Sequence, residues 1–217
     1  MKVSAIFIVI AVLSTAFFVV HNSHYVMDDV FIGFRYASNI ASGHGIVWNI
    51  GELPLEGYSN FGWIIIMAAF SFMDLVIAAK LIGLICLVAV GFVYYKISKD
   101  YPDLPDWKYV FAVALLFLLV GPAAAFHSTS GIGTILIGLF FLLLIYSAYI
   151  VYEYKKPMKW FFVIALIISL LRPEGMLPSI ALTIFLMWKN RNIRLPVSKE
   201  KKSNKTIRNK ITKKCIK

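Results

Sequence analysis

The sequence predicts an all-α protein, a polytopic helical membrane bundle of about six transmembrane spans plus a juxtamembrane half-helix. An amphipathic helix is expected in its first outer loop. Three observations predict this. Of the 217 residues, 60% are hydrophobic and 15% charged, with mean hydropathy +0.78. A soluble globular chain is about half apolar and a quarter charged. The apolar excess is gathered into long runs, and the basic residues are segregated into a few connections. A soluble single-core domain, a disordered chain and a secreted disulfide scaffold are thereby disfavoured. Cys86 lies in an apolar run and Cys215 in a basic tail, so no bridge between them is expected.

The first apolar run is Val3–Val20, preceded by Lys2. A signal peptide competes for this segment. The run is long and no small-x-small cleavage site follows it, so an uncleaved first span is preferred. A polar stretch, 21–60, comes next. The further apolar runs are Phe61–Met73, Leu75–Ile97, Tyr109–Phe126, Gly131–Tyr152, Met158–Leu171 and Gly175–Trp188. Residues 1–188 therefore read as one transmembrane domain. Residues 189–217 read as a basic, disordered cytoplasmic tail with twelve Lys/Arg and one Glu, a balance of +11. The rest of the chain is neutral, so the high isoelectric point belongs to the tail and does not imply a nucleic-acid partner.

Lysine and arginine orient the spans. The connections Lys96–Lys108 and Glu153–Lys159 each hold three Lys, whereas 21–60 holds only Arg35. The tail and the two Lys-bearing connections are expected on the cytoplasmic side of a plasma (inner) membrane, with 21–60 outside. An odd number of crossings must then separate 21–60 from Lys96. Phe61–Met73 has 13 residues, too few to span. It is expected as a half-helix, and Leu75–Ile97 as the second span.

The loop 21–60 is too polar to be a mere connector. After Asp28-Asp29, apolar residues fall at Val30, Phe34, Ala37 and Ile40/Ala41, with polar ones at Arg35, Ser38, Asn39 and Ser42. That is helical periodicity, and Gly43 and Gly45 end it. An amphipathic helix lying in the outer interface follows. Asp28 fits a helix N-cap, with Asp29 favoured in the first turn. The loop also holds four carboxylates (Asp28, Asp29, Glu52, Glu56), Arg35 and three His (His21, His24, His44). A carboxylate there could serve as a general base toward a hydroxyl. A divalent metal on Asp, Glu or His is compatible with the composition, but no ligand spacing demands it.

Two further polar elements face outward. His127-Ser128-Thr129-Ser130-Gly131 reads as a helix break with hydroxyl caps. Leu171-Arg172-Pro173-Glu174-Gly175 joins two short spans, so its charges sit at membrane depth. Arg172 and Glu174 either line a wet cavity or pair locally at a junction where Pro173 opens a helix.

The run Asp28-Asp29-Val30-Phe31-Ile32-Gly33-Phe34-Arg35-Tyr36-Ala37, followed by Gly43-His44-Gly45, Asn49, Gly51-Glu52, Glu56-Gly57-Tyr58-Ser59-Asn60 and Trp63, resembles the first-loop signature of bacterial GT-C glycosyltransferases. The pattern is that of polyprenyl-phosphate-sugar-dependent mannosyl- and arabinofuranosyltransferase-like enzymes. Ser130–Thr134 and Arg172–Gly175 resemble two later elements. The resemblance implies a helical bundle with an outer-face active site, in which Asp28 or Asp29 takes the acceptor proton or holds a metal. Arg35, His44, Glu56, Tyr58, Asn60, Arg172 and Glu174 are the implied substrate-binding residues. The partners implied are a polyprenyl-phosphate sugar donor, the lipid bilayer and an acceptor that is a glycan, lipid or protein. Neither a nucleotide nor a redox cofactor is expected. Two departures stand out. The family's second element carries an acidic residue where this chain has Gly133, and family members have further spans. The chain is thus expected to be a short member or an N-terminal portion.

Two other functions compete with sugar transfer. A non-catalytic membrane protein would keep the fold without the chemistry. A lipid-sugar transporter would need charged or Gly/Pro-broken residues within several spans. Apart from Lys80, Gly121-Pro122 and the Arg172 turn the spans are plain, which disfavours transport.

Overall fold

The computed structural model describes residues 2–100 and 122–189, leaving aside the side chains of 2–8, 10–11 and 98–100. The described residues are helical and contain no strand. In chain order they form α1 (Lys2–His21), α2 (Asp29–Ala41), α3 (Phe61–Ala69), α4 (Leu75–Asp100), α5 (Pro122–Thr129), α6 (Thr134–Tyr154) and α7 (Lys159–Leu171). A 3₁₀ turn at Pro173–Gly175 then leads into α8 (Met176–Lys189). Most of the span expected at 109–126 and the tail from 190 onward fall outside the described residues.

Local chemistry explains the boundaries. Of the apolar positions expected for α2, Val30, Phe34 and Ala37 are buried along one stripe and Ile40 partly so, whereas Ala41 is exposed. Gly43 ends the helix at φ 80°. The His44 amide reaches back to Asn39 O at 2.9 Å and the Gly43 amide to Ile40 O at 3.0 Å, the paired bonds of a Schellman stop. Asp74 caps α4, its Oδ1 accepting the Ile77 amide at 2.9 Å. Helix α7 stops at Arg172, whose extended backbone (φ −150°, ψ 137°) is what a residue before proline prefers. Pro173 then opens the 3₁₀ turn, a position that needs no amide hydrogen.

Several expectations are corrected. The half-helix covers Phe61–Ala69 rather than Phe61–Met73, because the chain turns at Phe70–Met73 before Asp74 caps α4. Asp28 sits at the start of α2 in a helical conformation and makes no side-chain capping bond, so the capping role is not realised. His127–Thr129 completes α5 instead of breaking a helix. There Ser128 and Thr129 donate to the Ala125 carbonyl at 2.7 and 3.1 Å, bonding backward rather than capping. The break itself lies at Ser130–Gly133.

The bundle packs α2 on α3, α4 on α5 and α6, α1 on α5, and α7 on α6 and α3, with α8 against α6. The larger core joins Phe34, Trp63, Ile64, Met67, Leu87 and Leu136. A smaller one gathers Leu144, Val151, Phe161 and Leu186 between α6, α7 and α8. Glycines allow the closest crossings. A Cβ on Gly83 of α4 would meet the Ser128 carbonyl oxygen of α5, and one on Gly62 of α3 would lie 2.9 Å from Leu171 Cα. Small residues at crossings are how helices approach when packing rather than water drives association.

Two helical segments, Leu75–Ile97 and Thr134–Tyr154, are long and apolar enough to cross a membrane by length and composition. On α4, Ile77, Leu81, Ile85, Val88 and Phe92 form an exposed stripe, and Trp160, Val163, Leu166 and Leu170 do so on α7. A helix apolar all round is not the helix of a water-facing surface. Helices α7 and α8, with 13 and 14 residues, are shorter than a bilayer crossing.

The glycine crossing can be tested by a paired substitution. Gly83→Ala should destabilise the detergent-solubilised protein by about 1–3 kcal/mol, the range for overpacking. Gly91→Ala meets nothing within 4 Å. It should be neutral or stabilising by up to about 1 kcal/mol through helix propensity. Thermal unfolding followed by circular dichroism reads both; equal effects would remove the crossing as the cause.

Candidate functional site

Four separate segments converge on one cavity of about 330 Å³. The first wall is the start of α2, where Asp29, Ile32 and Gly33 occupy successive turns of one face. Tyr36 continues that face. The Val30–Phe34–Ala37 stripe enters the core, and Tyr36, not itself a lining residue, is buried with it.

The second wall is Gly57–Asn60, held by Tyr36. This tyrosine is almost wholly buried; its hydroxyl donates to Leu55 O at 2.5 Å and accepts from the Gly57 amide at 3.1 Å. Its ring stands edge-on to Tyr58 at 4.9 Å. Burial, then the neighbouring Glu56 and Tyr36, push the Tyr58 phenol above its ordinary value. Tyr58 thus stays protonated at neutral pH and keeps a hydrogen to donate. Asn60 starts α3 with its backbone carbonyl, which accepts from Trp63 at 3.0 Å. Its side chain makes no capping bond.

The third wall is Ile132, carried between Gly131 and Gly133, which both adopt positive φ (86° and 76°). Trp63 Nε1 donates to Gly131 O at 3.1 Å, and the Met27 amide donates to Ser130 O at 3.2 Å. The turn is thereby tied both to α3 and to the segment leading into α2. A Cβ on Gly133 would stand 2.6 Å from the Trp63 ring.

The fourth wall is Arg172. Its backbone closes the junction, the amide donating to Ile168 O and the carbonyl accepting from Gly175, each at 3.0 Å. Its Nε is buried without a hydrogen-bond partner. Glu174 is exposed and forms no ion pair with it. Of the two readings of this turn, the local Arg–Glu pair is absent, and Arg172 lines the cavity. A buried donor on a cation is costly to leave unanswered, so this wall favours an anion.

The structure therefore brings together Asp29, Tyr58, Asn60 and Arg172 from the expected residues, and adds Ser59 and Ile132. Asp28, exposed, lies beside the cavity but outside its lining. Arg35, His44, Glu56 and Glu174 are also outside it. Arg35 braces the loop: Nε donates to Trp48 O at 2.9 Å, Nη2 to Asn49 Oδ1 at 2.6 Å, and the guanidinium lies 4.3 Å over the Trp48 ring. His44 stands exposed between Gly43 and Gly45, whose positive φ shapes the end of α2. Glu56 helps to raise the Tyr58 phenol above its ordinary value. Among the described residues no group of three or more His, Cys, Asp or Glu could hold a metal. The cavity lining holds one carboxylate, Asp29, and one guanidinium, Arg172. Sequence reasoning assigned no role to Tyr36, although its seven-residue spacing from Asp29 puts both on one helical face.

Two measurements check this geometry. Gly133→Ala should lower the unfolding temperature through its clash with Trp63 and its strained φ, at a cost of about 1–3 kcal/mol. An unchanged midpoint would mean the ring moves aside freely. In an ultraviolet pH titration, the difference between wild type and Tyr58→Phe should report a phenol ionising above the ordinary tyrosine value. Because the folded value is raised, its contribution to stability is full below the unfolded value of about 10. That contribution is lost as pH rises through the folded one.

No protein-family model, curated protein or solved structure matches this chain, so the cavity's own chemistry carries the functional reading.

Proposed function

We propose that the chain is an integral-membrane glycosyltransferase of the GT-C type, or a portion of one, acting on a polyprenyl-phosphate sugar at the outer face of the membrane. The observation that carries it is the meeting of Asp29 and Arg172 in one cavity although 142 other residues separate them in the chain. A base and an anion-holding cation facing one space are what transfer from a sugar phosphate needs. Asp29 takes the proton of an acceptor hydroxyl. The freed oxygen attacks the anomeric carbon, and the bond from that carbon to the phosphate oxygen breaks. The polyprenyl phosphate departs with the bonding electrons, and Arg172 holds its charge. Tyr58 and Asn60 offer hydrogen bonds to sugar hydroxyls.

The six-span arrangement belongs to this reading, with loop 21–60 outside and the basic connections in the cytoplasm. The apolar outward stripes of α4 and α7 support it. Nine-residue α3 is about 14 Å long and does not cross alone. An impermeant thiol reagent applied to intact cells should label Glu52→Cys and Asp74→Cys but not Lys156→Cys. The reverse pattern would overturn the orientation.

Gly133 favours a second reading, a non-catalytic membrane protein, since Trp63 fills the space where an acid would stand. Turnover separates the two. Asp29→Asn keeps the side chain's size but cannot act as a base. It should lower turnover by about 10²-fold or more. Asp28→Asn, outside the cavity, should cost less. Arg172→Lys keeps the charge but loses the planar fork, and should mainly weaken donor binding. Wild-type turnover in Asp29→Asn would remove the aspartate from the chemistry, and an inert wild type with every polyprenyl-phosphate sugar tried would favour the second reading.

A further inference from the structure

The segment between α2 and the cavity wall presents apolar side chains outward. Leu53 is 86% exposed, Leu55 65% and Ile50 61%, with Ile46 also exposed. A mobile loop could shed such residues from water by collapsing, but this one is pinned. Asn39 Nδ2 donates to Val47 O at 2.7 Å, and Arg35 holds Trp48 O and Asn49. Asn49 Nδ2 in turn donates to Glu52 Oε2 at 2.8 Å, and Tyr36 clamps Leu55 O. The backbone is hydrogen-bonded inward while the leucines are held out.

We infer that residues 46–55 form an interfacial anchor that seats Ile50, Leu53 and Leu55 in the outer leaflet of the bilayer, beside the mouth of the cavity. This rests on the membrane reading above and adds to it a specific lipid contact. Three features favour lipid over a protein partner. Helices α1 and α4 also expose Phe17, Val20, Ile77 and Leu81, so the molecule already demands an apolar surrounding. At its base a guanidinium lies over a tryptophan ring, an amphipathic pair suited to a headgroup region. Among residues 42–60 there is no Lys or Arg, so nothing basic at the tip opposes burial, and Glu52 is hydrogen-bonded back to Asn49. Leu55 is two residues from Gly57 in the cavity wall. A lipid-linked molecule held there would keep its chain among Leu53 and Leu55 and its polar head in the cavity.

The test uses the full chain with Cys215→Ser, reconstituted in phosphatidylcholine nanodiscs with plain or brominated acyl chains. Bimane is attached at Leu53→Cys and, separately, at Ile85→Cys on the exposed stripe of α4; Cys86 is buried. Bromine quenches only fluorophores in contact with the chains. The expected result is a loss of fluorescence in brominated lipid at both positions, with no donor added. Quenching at Ile85→Cys but not at Leu53→Cys would overturn the anchor while leaving the membrane reading intact. Quenching at neither would overturn both. An unquenched bimane at position 53, together with a disulfide between two chains of the unlabelled Leu53→Cys protein, would assign the tip to a second copy instead.

Discussion

The contact of Trp63 with the turn at Gly131–Gly133 is the constraint on which the rest of the structure depends. Its indole NH binds the Gly131 carbonyl, and its ring fills the space beside Gly133. These residues lie 68 positions apart in sequence, so the contact joins the amino-terminal third of the chain to the start of α6. The turn also accepts the Met27 amide, which brings the beginning of α2 to the same place. Asp29 and Ile132 come to line one cavity because a buried donor and a buried carbonyl must find partners. Two positive φ values in three residues let the backbone pass that closely to an indole.

Arg172 shows a complementary principle. Its position is set by backbone chemistry: a residue before proline leaves the helical region, and the chain turns there. The side chain is then committed to the cavity with a buried, unanswered Nε. Such an arrangement is unfavourable for stability and is understandable when an anion completes it. The neighbouring Glu174, nearest in sequence, faces outward. Proximity in sequence therefore says nothing about pairing here, because the 3₁₀ turn directs the two side chains apart.

The outer surface follows a third rule. On α4 and α7 the residues that avoid the core are still large and apolar, so burial against protein and avoidance of polar surroundings are separate properties of the same helix. Close crossings at Gly62 and Gly83 mark packed faces. The periodicity of hydrophobicity cannot tell those faces from the outward ones.

Legible in the residues alone were the helical class, the positions of α4, α6 and α7, the stripe and glycine stop of α2, and the weight of loop 21–60. Those are local properties, readable from run length, spacing of three and four, and the φ preferences of glycine and proline. The sequence also named Asp29, Tyr58, Asn60 and Arg172, though among others such as Arg35, His44 and Glu56 that the fold keeps outside the cavity. Which polar residues meet was settled by packing between distant segments. Arg35 and Asp29 look alike as charged residues on one amphipathic helix, yet one braces a loop and the other lines a cavity. Side chains six residues apart on a helix point in widely different directions, and what each direction meets is supplied by distant segments. Tyr36 and Trp63 escaped assignment for the same reason: an aromatic ring is an ordinary core residue until its partner, a carbonyl or a glycine far away in the chain, is brought to it.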